Sequence, residues 1–566
     1  MRRIRSALVL LAMVPMIGMS RVAHADDPPL PLVPYPKNVV QKEGCFAITK
    51  DTRIVIGEGI QEGDANGVAI LNEDVERLLG GALRIERPAA MPKESVIAFD
   101  GFGAYPLIEN ACAERGFAIP KDLPSEGYFI SVRSGAILAG AKDRRGMVCA
   151  SLTLGQLMTK RDWAVEVPCC DIVDYPSLPM RICHMQVPAY TVQGWNLFER
   201  RAAEKPEIYR DFKTMKDYLP LLEHMTRTAL RHKMNGVFID LCNVFRFTSC
   251  PDMALPQAAP VADLKPIIEL ARRYYAEPIP QLNLLSHQEH FLAKVRPDLM
   301  LVKLAEFPKK RVSDYGDFFY WEPVYDPNNP EVRKIVAAVL DETIELFRPA
   351  ILHIGHDECG ALAFVPRKND REITDLFAGS VRFLHGYLKE RNVRTMMWGD
   401  MLLSELQFPT GSAHGAHPGA PTWPAIKDIP KDVIVADWQH YPFARPYPDA
   451  GGAREDFPSS LYFSDNGFSV MGAVLGKFAK EKNDLDRWQK IRTHNQNFSR
   501  YVAGLNHGKR PDNGGGLGMI VSHWYLNPLW LDAARDERAA SILSASEQFW
   551  NAGERRDPVT WRNWTN

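Results

Sequence analysis

The sequence predicts an α/β protein, a (β/α)8 TIM-type barrel preceded by a small α+β domain. The clearest signal is the run from Ile351 to Glu358, where apolar residues end in a glycine, a histidine and two adjacent carboxylates. It follows a segment whose helical period is easy to read. Asn329 can cap that helix, Pro330 fits its first turn, Val332, Ile335, Val336, Val339 and Phe347 recur at helical spacing, and Arg348-Pro349 stops it. Helix, strand, then acids at the strand's carboxyl end is the order in which barrels and open α/β sheets place their chemistry. The second signal is repetition. Short apolar runs recur near Met180 to Met185, Gly236 to Leu241, Ile279 to Leu282, Ala350 to Ile354, Val393 to Met397, Val433 to Ala436, Ser469 to Val474 and Gly518 to Val521, eight in all. Most are separated by helical periods such as Leu222, Met225 and Ala229, or the span Leu264 to Tyr275.

The elements before the barrel follow a different rhythm. Arg2, Arg3 and Arg5 precede an apolar run from Ala7 to Met19, and Ala23-His24-Ala25 follows as a small-x-small cleavage site, so residues 1–25 read as a secretory signal peptide. The run is short for a membrane span and has no lipobox cysteine near its end, which favours export to the periplasm or medium over stable membrane insertion, with an uncleaved amino-terminal anchor as the alternative. Residues 26–37, rich in proline and acid, read as an extended lead-in. Tyr128 to Val132 and Ala136 to Gly140 flank a Ser134-Gly135 turn as a hairpin, and Gly146 to Met158 reads as the helix after it. Residues 26–166 are therefore assigned to an α+β non-catalytic domain, 167–179, with three prolines and two acids, to a linker, and 180–566 to the barrel. Residues 405–430 and 440–460, rich in Pro, Gly and His, read as long loops.

Composition narrows the partners. A chain of 566 residues exceeds ordinary single-domain size, and 46% hydrophobic residues supply a full core. Lys+Arg at 68 against Asp+Glu at 69 gives no positive field for nucleic acid. Removing residues 1–25 takes away four arginines and no acid, moving the net charge from −1 to −5. Nine cysteines form no Cys-x-x-Cys pair and no zinc pattern, and their odd number leaves at least one unpaired. Most read as small buried apolar side chains, and Cys359 beside the acids reads as packing rather than as a nucleophile.

Two neighbouring carboxylates raise each other's proton affinity, as a general acid working near neutrality requires, whereas helix capping accounts for only one of them. A metal site using His353 or His356 with the acids is opposed by strand geometry, because residues three apart face opposite sides; no metal and no cofactor is expected.

The block Ile351 to Glu358, with its lead-in Tyr325 to Glu331, resembles the His-Ile-Gly-Gly-Asp-Glu signature of the family 20 β-N-acetylhexosaminidases, with His356 in place of the second glycine. The hairpin and helix near 128–158 likewise resemble the domain that precedes the barrel in that family. The resemblance implies that Glu358 is the general acid and then the base, and that Asp357 orients the substrate's 2-acetamido group and balances its positive charge. It further implies substrate-binding roles for Arg181, for His287 after the third strand, and for Trp398, Trp438 and Trp524 after the fifth, sixth and eighth. The acetamido-binding tyrosine has two candidates, Tyr441 and Tyr462.

Departures mark an outlying branch. Cys242-Asn243-Val244-Phe245-Arg246 stands where the family has Asp-Asp-x-Gly-Trp-Arg, Leu285-Ser286-His287 replaces Pro-Gly-His, and Trp524-Tyr525-Leu526 replaces Trp-x-Glu. The implied activity is an exported, retaining exo-glycosidase on terminal β-linked N-acetylhexosamine in a glycan or amino-sugar substrate. The rival is a barrel that binds carbohydrate but has lost turnover. Were the acetamido group not the nucleophile, Asp240, Asp400 or Asp437 would be the carboxylates to consider. Gluco against galacto preference, the aglycone and the oligomeric state stay open.

Overall fold

The computed structural model describes residues 29–186, 214–288, 291–293, 295–302, 323–404, 407–408, 420–440, 457–476, 485–506, 514–524 and 537–552. The signal segment, 1–25, lies outside them, as do residues 405–406 and 409–419 of the first long loop and 441–456 of the second. Among the described residues no helix is long and apolar enough to cross a membrane.

The first domain is a mixed sheet with two long helices on it and a short one, Glu109–Glu114. Its strands are β1 (Asn38–Ile48), β2 (Arg53–Ile56), β3 (Arg84–Glu86), β4 (Val96–Gly101), β5 (Tyr128–Arg133), β6 (Ala136–Ala141), β7 (Thr159–Lys160) and β8 (Val165–Asp174), in the order β1-β8-β5-β6-β4-β2-β3 with β7 on β8. β5 and β6 form the expected antiparallel hairpin, with Arg133 opposite Ala136. Helices Asn66–Leu79 and Arg144–Leu157 bury Val68, Leu71, Val75, Met147 and Leu154 against Ile54, Ile97 and Ile130 of the sheet. Asp143 caps the second helix, accepting from the Gly146 N–H at 2.8 Å, where an aspartate is worth about 1 kcal/mol over alanine.

The proposed linker is corrected here. Residues 167–174 belong to β8, which lies between β1 and β5, and only Tyr175–Pro179 connect the domains. Val165, Val167, Cys170, Ile172 and Asp174 are buried, so the segment is a core strand despite Pro168. The register of β1 slips between Gln41 and Cys45, and Cys45 pairs with Pro168, which has no N–H to give the ladder.

The barrel strands are β9 (Met180–Met185), β10 (Gly236–Asp240), β13 (Glu277–Leu284), β14 (Ile351–Gly355), β15 (Arg394–Trp398), β16 (Ile434–Trp438), β17 (Ser469–Leu475) and β18 (Gly515–His523), with the short pair β11 (Phe245–Arg246) and β12 (Ala259–Pro260) outside it. They close in parallel in the order β10-β13-β14-β15-β16-β17-β18-β9, and each matches one of the apolar runs read from sequence. Alternation divides them into two cores. Ile182, Phe238, Ile279, Met396, Trp398, Ile434, Met471 and Ile520 fill the interior. Val237, Ile239, Leu352, Ile354, Met397, Val435 and Val470 face the helix layer, where they meet Leu222, Phe347, Phe377 and Phe463. The helix Pro330–Phe347 starts as predicted, its Asn329 side chain accepting from the Glu331 N–H at 2.9 Å, and stops at Arg348 in the left-handed region, φ 41°.

The two domains share a buried polar junction. Lys233 Nζ donates to Tyr128 OH at 2.8 Å and to Asp174 Oδ2 at 3.1 Å, and lies 4.6 Å from the centre of the Trp550 ring. Trp550, at the end of the helix Glu537–Trp550, donates from Nε1 to Asp174 Oδ1 at 2.8 Å. The same helix reaches the lead-in segment, where Tyr35 N–H donates to Glu547 Oε2 at 2.6 Å and Asn551 Nδ2 donates to Tyr35 O at 2.9 Å.

Candidate active site

Because strand residues alternate, the inward phase of each barrel strand predicts what reaches the mouth. On β14 the phase runs through His353 and Gly355 to Asp357; on β15 it runs through Met396 and Trp398 to Asp400; on β10 it runs through Phe238 to Asp240. These residues converge on one end of the barrel.

The chain turns sharply at the acid pair. Gly355, His356 and Glu358 have φ of 72°, 69° and 49°, and on the facing loop Leu285 and His287 have 74° and 54°. Left-handed residues other than glycine cost about 1–3 kcal/mol each and cluster where geometry is needed for function. At Gly355 a side chain would also be crowded, since an added Cβ would stand 3.3 Å from Asn283 Cα and Leu282 O on β13. The kink sets Asp357 and Glu358 side by side with side chains 14% and 17% exposed, so both can be reached from solvent. His287 Nε2 lies 3.4 Å from Asp357 Oδ2 and 3.6 Å from Glu358 Oε2. Asp357 Oδ1 is buried and has no protein donor.

Two fully buried acids flank the pair. Asp400 Oδ2 accepts the Glu358 N–H at 2.9 Å; burial first, then the charges of Asp357 and Glu358, hold its carboxyl well above the usual range. Asp240 accepts from Gln186 Nε2 at 2.8 Å and from Asn283 Nδ2 at 3.4 Å, and burial pushes it up to about 7. Among the described residues one group brings three ligand-type atoms together, His287, Asp357 and Glu358 within 4.8 Å, and the same trio is what an acid–base site needs. His353 and His356 share no ligand position. His353 points inward, its ring 4.6 Å from that of Trp398, while His356 turns outward to Ser380 Oγ at 3.0 Å. Burial keeps both imidazoles neutral, driving His356 down to about 4 and His353 well below the ordinary value.

Aromatic rings build the adjoining wall. Trp398 is fully buried, 5.7 Å from Trp524 between ring centres. His440 joins Trp524 to Trp438, accepting from Trp524 Nε1 at 3.5 Å and lying 4.9 Å from the Trp438 ring. His184 stands beneath, 4.5 Å from Trp524, neutral because burial lowers it to about 3, with neither ring nitrogen bonded.

Two expected substrate contacts are corrected. Arg181 is the second residue of β9, at the amino end of the barrel, away from the mouth. It is 1% exposed, ion-paired with Glu126 of the first domain, and donates to Leu178 O at 2.8 Å and Lys233 O at 3.1 Å. Its guanidinium holds the domain junction. Tyr462 lies on the helix Pro458–Asp465 outside the barrel, 5.3 Å from Phe408 and packed on the outer core rather than the tryptophan cluster. Tyr441 lies outside the described residues. Asp437 is on the outward phase of β16 and is held there by Ser459 Oγ at 2.8 Å and by Ser460 Oγ. Cys359 is buried and its thiol held well above its ordinary pKa by burial, so it is not a nucleophile; all nine cysteines are free. His184, Gln186, Gln281, Asn283 and His440 were not anticipated. Their signal was present as polar residues at period two inside apolar strands.

The first domain matches the family model for glycosyl hydrolase family 20, domain 2, over residues 30–175, and the barrel matches the catalytic domain of the same family over residues 259–447. A curated relative, beta-hexosaminidase 1 of Coccidioides posadasii, is 24% identical over 330 residues, 55% of this chain and 49% of that one. This chain thus spans about half the length of that relative. Among solved structures, the chitobiase of Flavobacterium johnsoniae aligns with TM-score 0.63 at 17% identity, covering 94% of this chain and 71% of that one. The exo β-N-acetylglucosaminidase of Vibrio harveyi, solved with N-acetylglucosamine, aligns with TM-score 0.63 at 16% identity, covering 96% and 76%. The β-N-acetylhexosaminidase of Bacteroides fragilis gives 0.61 at 16%, covering 94% and 93%. With one model matching each domain and the two together taking in more than half of its residues, the chain belongs to glycosyl hydrolase family 20.

Proposed function

We propose that this protein is an exported exo-glycosidase that removes terminal β-linked N-acetylhexosamine with retention of configuration. The observation that carries the reading is the pairing of Asp357 and Glu358, both partly exposed at the carboxyl end of a barrel strand and both within 3.6 Å of one imidazole, that of His287. In this mechanism Glu358 gives its proton to the glycosidic oxygen as the bond to the anomeric carbon breaks. The carbonyl oxygen of the substrate's own 2-acetamido group closes on that carbon. Asp357 accepts a hydrogen bond from the acetamido N–H, and its charge opposes the positive charge that develops. Glu358, now a carboxylate, takes a proton from water as the water oxygen attacks and the ring reopens. Two inversions give retention.

The remaining carboxylates support this assignment of the nucleophile. Asp240 and Asp400 are 0% and 2% exposed, and Asp437 is turned out of the barrel. The family membership and the relatives' names support the N-acetylhexosamine class. Export rests on Arg2, Arg3 and Arg5, the run to Met19 and Ala23-His24-Ala25. A panel of aryl β-glycosides with and without the 2-acetamido group tests the activity: hydrolysis confined to acetamido substrates is expected, and efficient cleavage of plain β-glucosides or β-galactosides overturns it. Amino-terminal sequencing of protein recovered outside the cytoplasm tests export, with cleavage after Ala25 expected.

A further inference from the structure

We infer that Asp400 is a further positioning residue of this site: from the exit of β15 its side chain holds the kinked main chain at Glu358, so that the acid leaves the turn beside His287. What the positioning accomplishes rests on the hydrolase reading; the hold itself does not.

The turn after β14 has no ladder on its β15 side. The two strands pair at Ile351 with Arg394, Leu352 with Thr395 and His353 with Met396, and the pairing ends there. Main-chain N–H groups beyond that point still need acceptors where they are buried, and side chains supply them. Gly355 N–H donates to His353 Nδ1 at 3.1 Å, Glu358 N–H to Asp400 Oδ2 at 2.9 Å and Cys359 N–H to Met401 Sδ at 3.3 Å. Two of these three acceptors are consecutive residues of the neighbouring strand's exit. That exit is itself anchored. Asp400 is buried and opens the short 3-10 turn Asp400–Leu402, the Gly399 N–H before it donates to Ala436 O on β16 at 2.9 Å, and Met401 O accepts the Thr422 hydroxyl at 2.7 Å. The main chain of the acid is thus held by a rigid part of the barrel and not by a free loop.

The hold matters because Glu358 stands at φ 49°, a left-handed conformation that a residue other than glycine keeps only when its surroundings impose it. Released, the main chain would relax toward negative φ and carry the carboxyl away from His287, which now lies 3.6 Å from it. Asp400 needs no charge for this task. Burial first, then the charge of Asp357, holds its carboxyl well above the usual range, and a neutral carboxyl still offers a carbonyl oxygen to an N–H donor. An amide of the same shape can therefore take its place, whereas a methyl group cannot.

The test sets Asp400→Ala against Asp400→Asn on two N-acetyl-β-glucosaminides, one with a sugar as leaving group and one with an activated aryl group. A displaced Glu358 transfers its proton badly, and a poor leaving group feels that most. Asp400→Ala should lower kcat on the sugar leaving group by about 10–10²-fold and on the activated one by about threefold or less, with KM within about threefold on both. Asp400→Asn should recover most of the loss. Where alanine leaves too large a hole for folding, Asp400→Leu fills the volume without an acceptor and carries the same expectation. An equal loss on both substrates marks a general structural role and overturns the inference; so does an asparagine variant no better than alanine, which would give the task to the charge. Amide exchange needs no turnover: the peptide covering residues 355–360 should exchange about tenfold faster or more in Asp400→Ala while first-domain peptides do not change, and unchanged exchange in that turn overturns the inference. A wild type that cleaves neither substrate, with the turn losing protection in Asp400→Ala, would tell against the proposed activity and leave the hold of Asp400 standing.

Discussion

The backbone N–H of Glu358 donates to Asp400 Oδ2 over 2.9 Å, so the main chain of the acid on β14 is tied to a buried carboxyl at the exit of β15. That bond fixes where the Glu358 side chain starts, and the kink at Glu358 then directs it beside His287. Glu358→Gln keeps the shape and removes the transferable proton. On a substrate with a poor leaving group kcat should fall by about 10²–10⁴-fold with KM little changed, and by less on an activated aryl substrate. An unaltered kcat on both would remove Glu358 from its role.

Asp357→Asn should lower kcat by about 10²–10³-fold through loss of charge opposite the developing cation, with little change in Tm. A thiazoline mimic of the cyclic intermediate should inhibit wild type competitively and bind the variant less well. Rates within a few-fold of wild type would show that the carboxylate is structural.

The tryptophans should separate by burial. Trp398 is fully enclosed, so Trp398→Ala should cost about 3–5 kcal/mol in a denaturant melt before any question of substrate arises. Trp524 is partly exposed at the mouth, and Trp524→Ala should instead raise KM with a smaller loss of stability. Trp438, 8% exposed, should behave more like Trp398. The reverse order would mean that the rings exchange their roles.

Arg181→Met leaves Glu126 buried beside Arg145 without its closest cation, and breaking a buried pair costs about 3–5 kcal/mol. Tm should fall while KM holds. Adding Glu126→Gln should recover part of the loss. A raised KM at unchanged Tm would return Arg181 to the substrate.

Much of the fold was legible because its signals are local. Asn329, Pro330 and the spacing to Phe347 mark a helix within one stretch of chain, and each barrel strand is its own apolar run. β8 was misread because Pro168 and two acids look like a linker when the partners β1 and β5, more than a hundred and some thirty residues earlier, are out of view. The site was legible only in part. Asp357 and Glu358 stand together in sequence, but Asp400 and Asp437 look alike there, and only the phase of each strand turns one to the mouth and the other to Ser459 and Ser460. Arg181 occupied a matching segment, yet its position at the strand's amino end sends it to Glu126. The row Gln186, Asp240, Asn283 and Gln281 comes from three strands, so no short window contains it.

The contact between Tyr35 and Glu547 spans 512 residues. During synthesis the first domain can complete its sheet once β8 has emerged, but Asp174 and Lys233 must then wait for Trp550 while the whole barrel is made. Until that last helix docks, a lysine and an aspartate destined for a dry junction remain open to water, and the seam between the domains stays unsealed. A ribosome-stalled chain ending before residue 537 should therefore present a folded first domain and a protease-sensitive barrel, and releasing the helix Glu537–Trp550 should protect the barrel and the seam in one step.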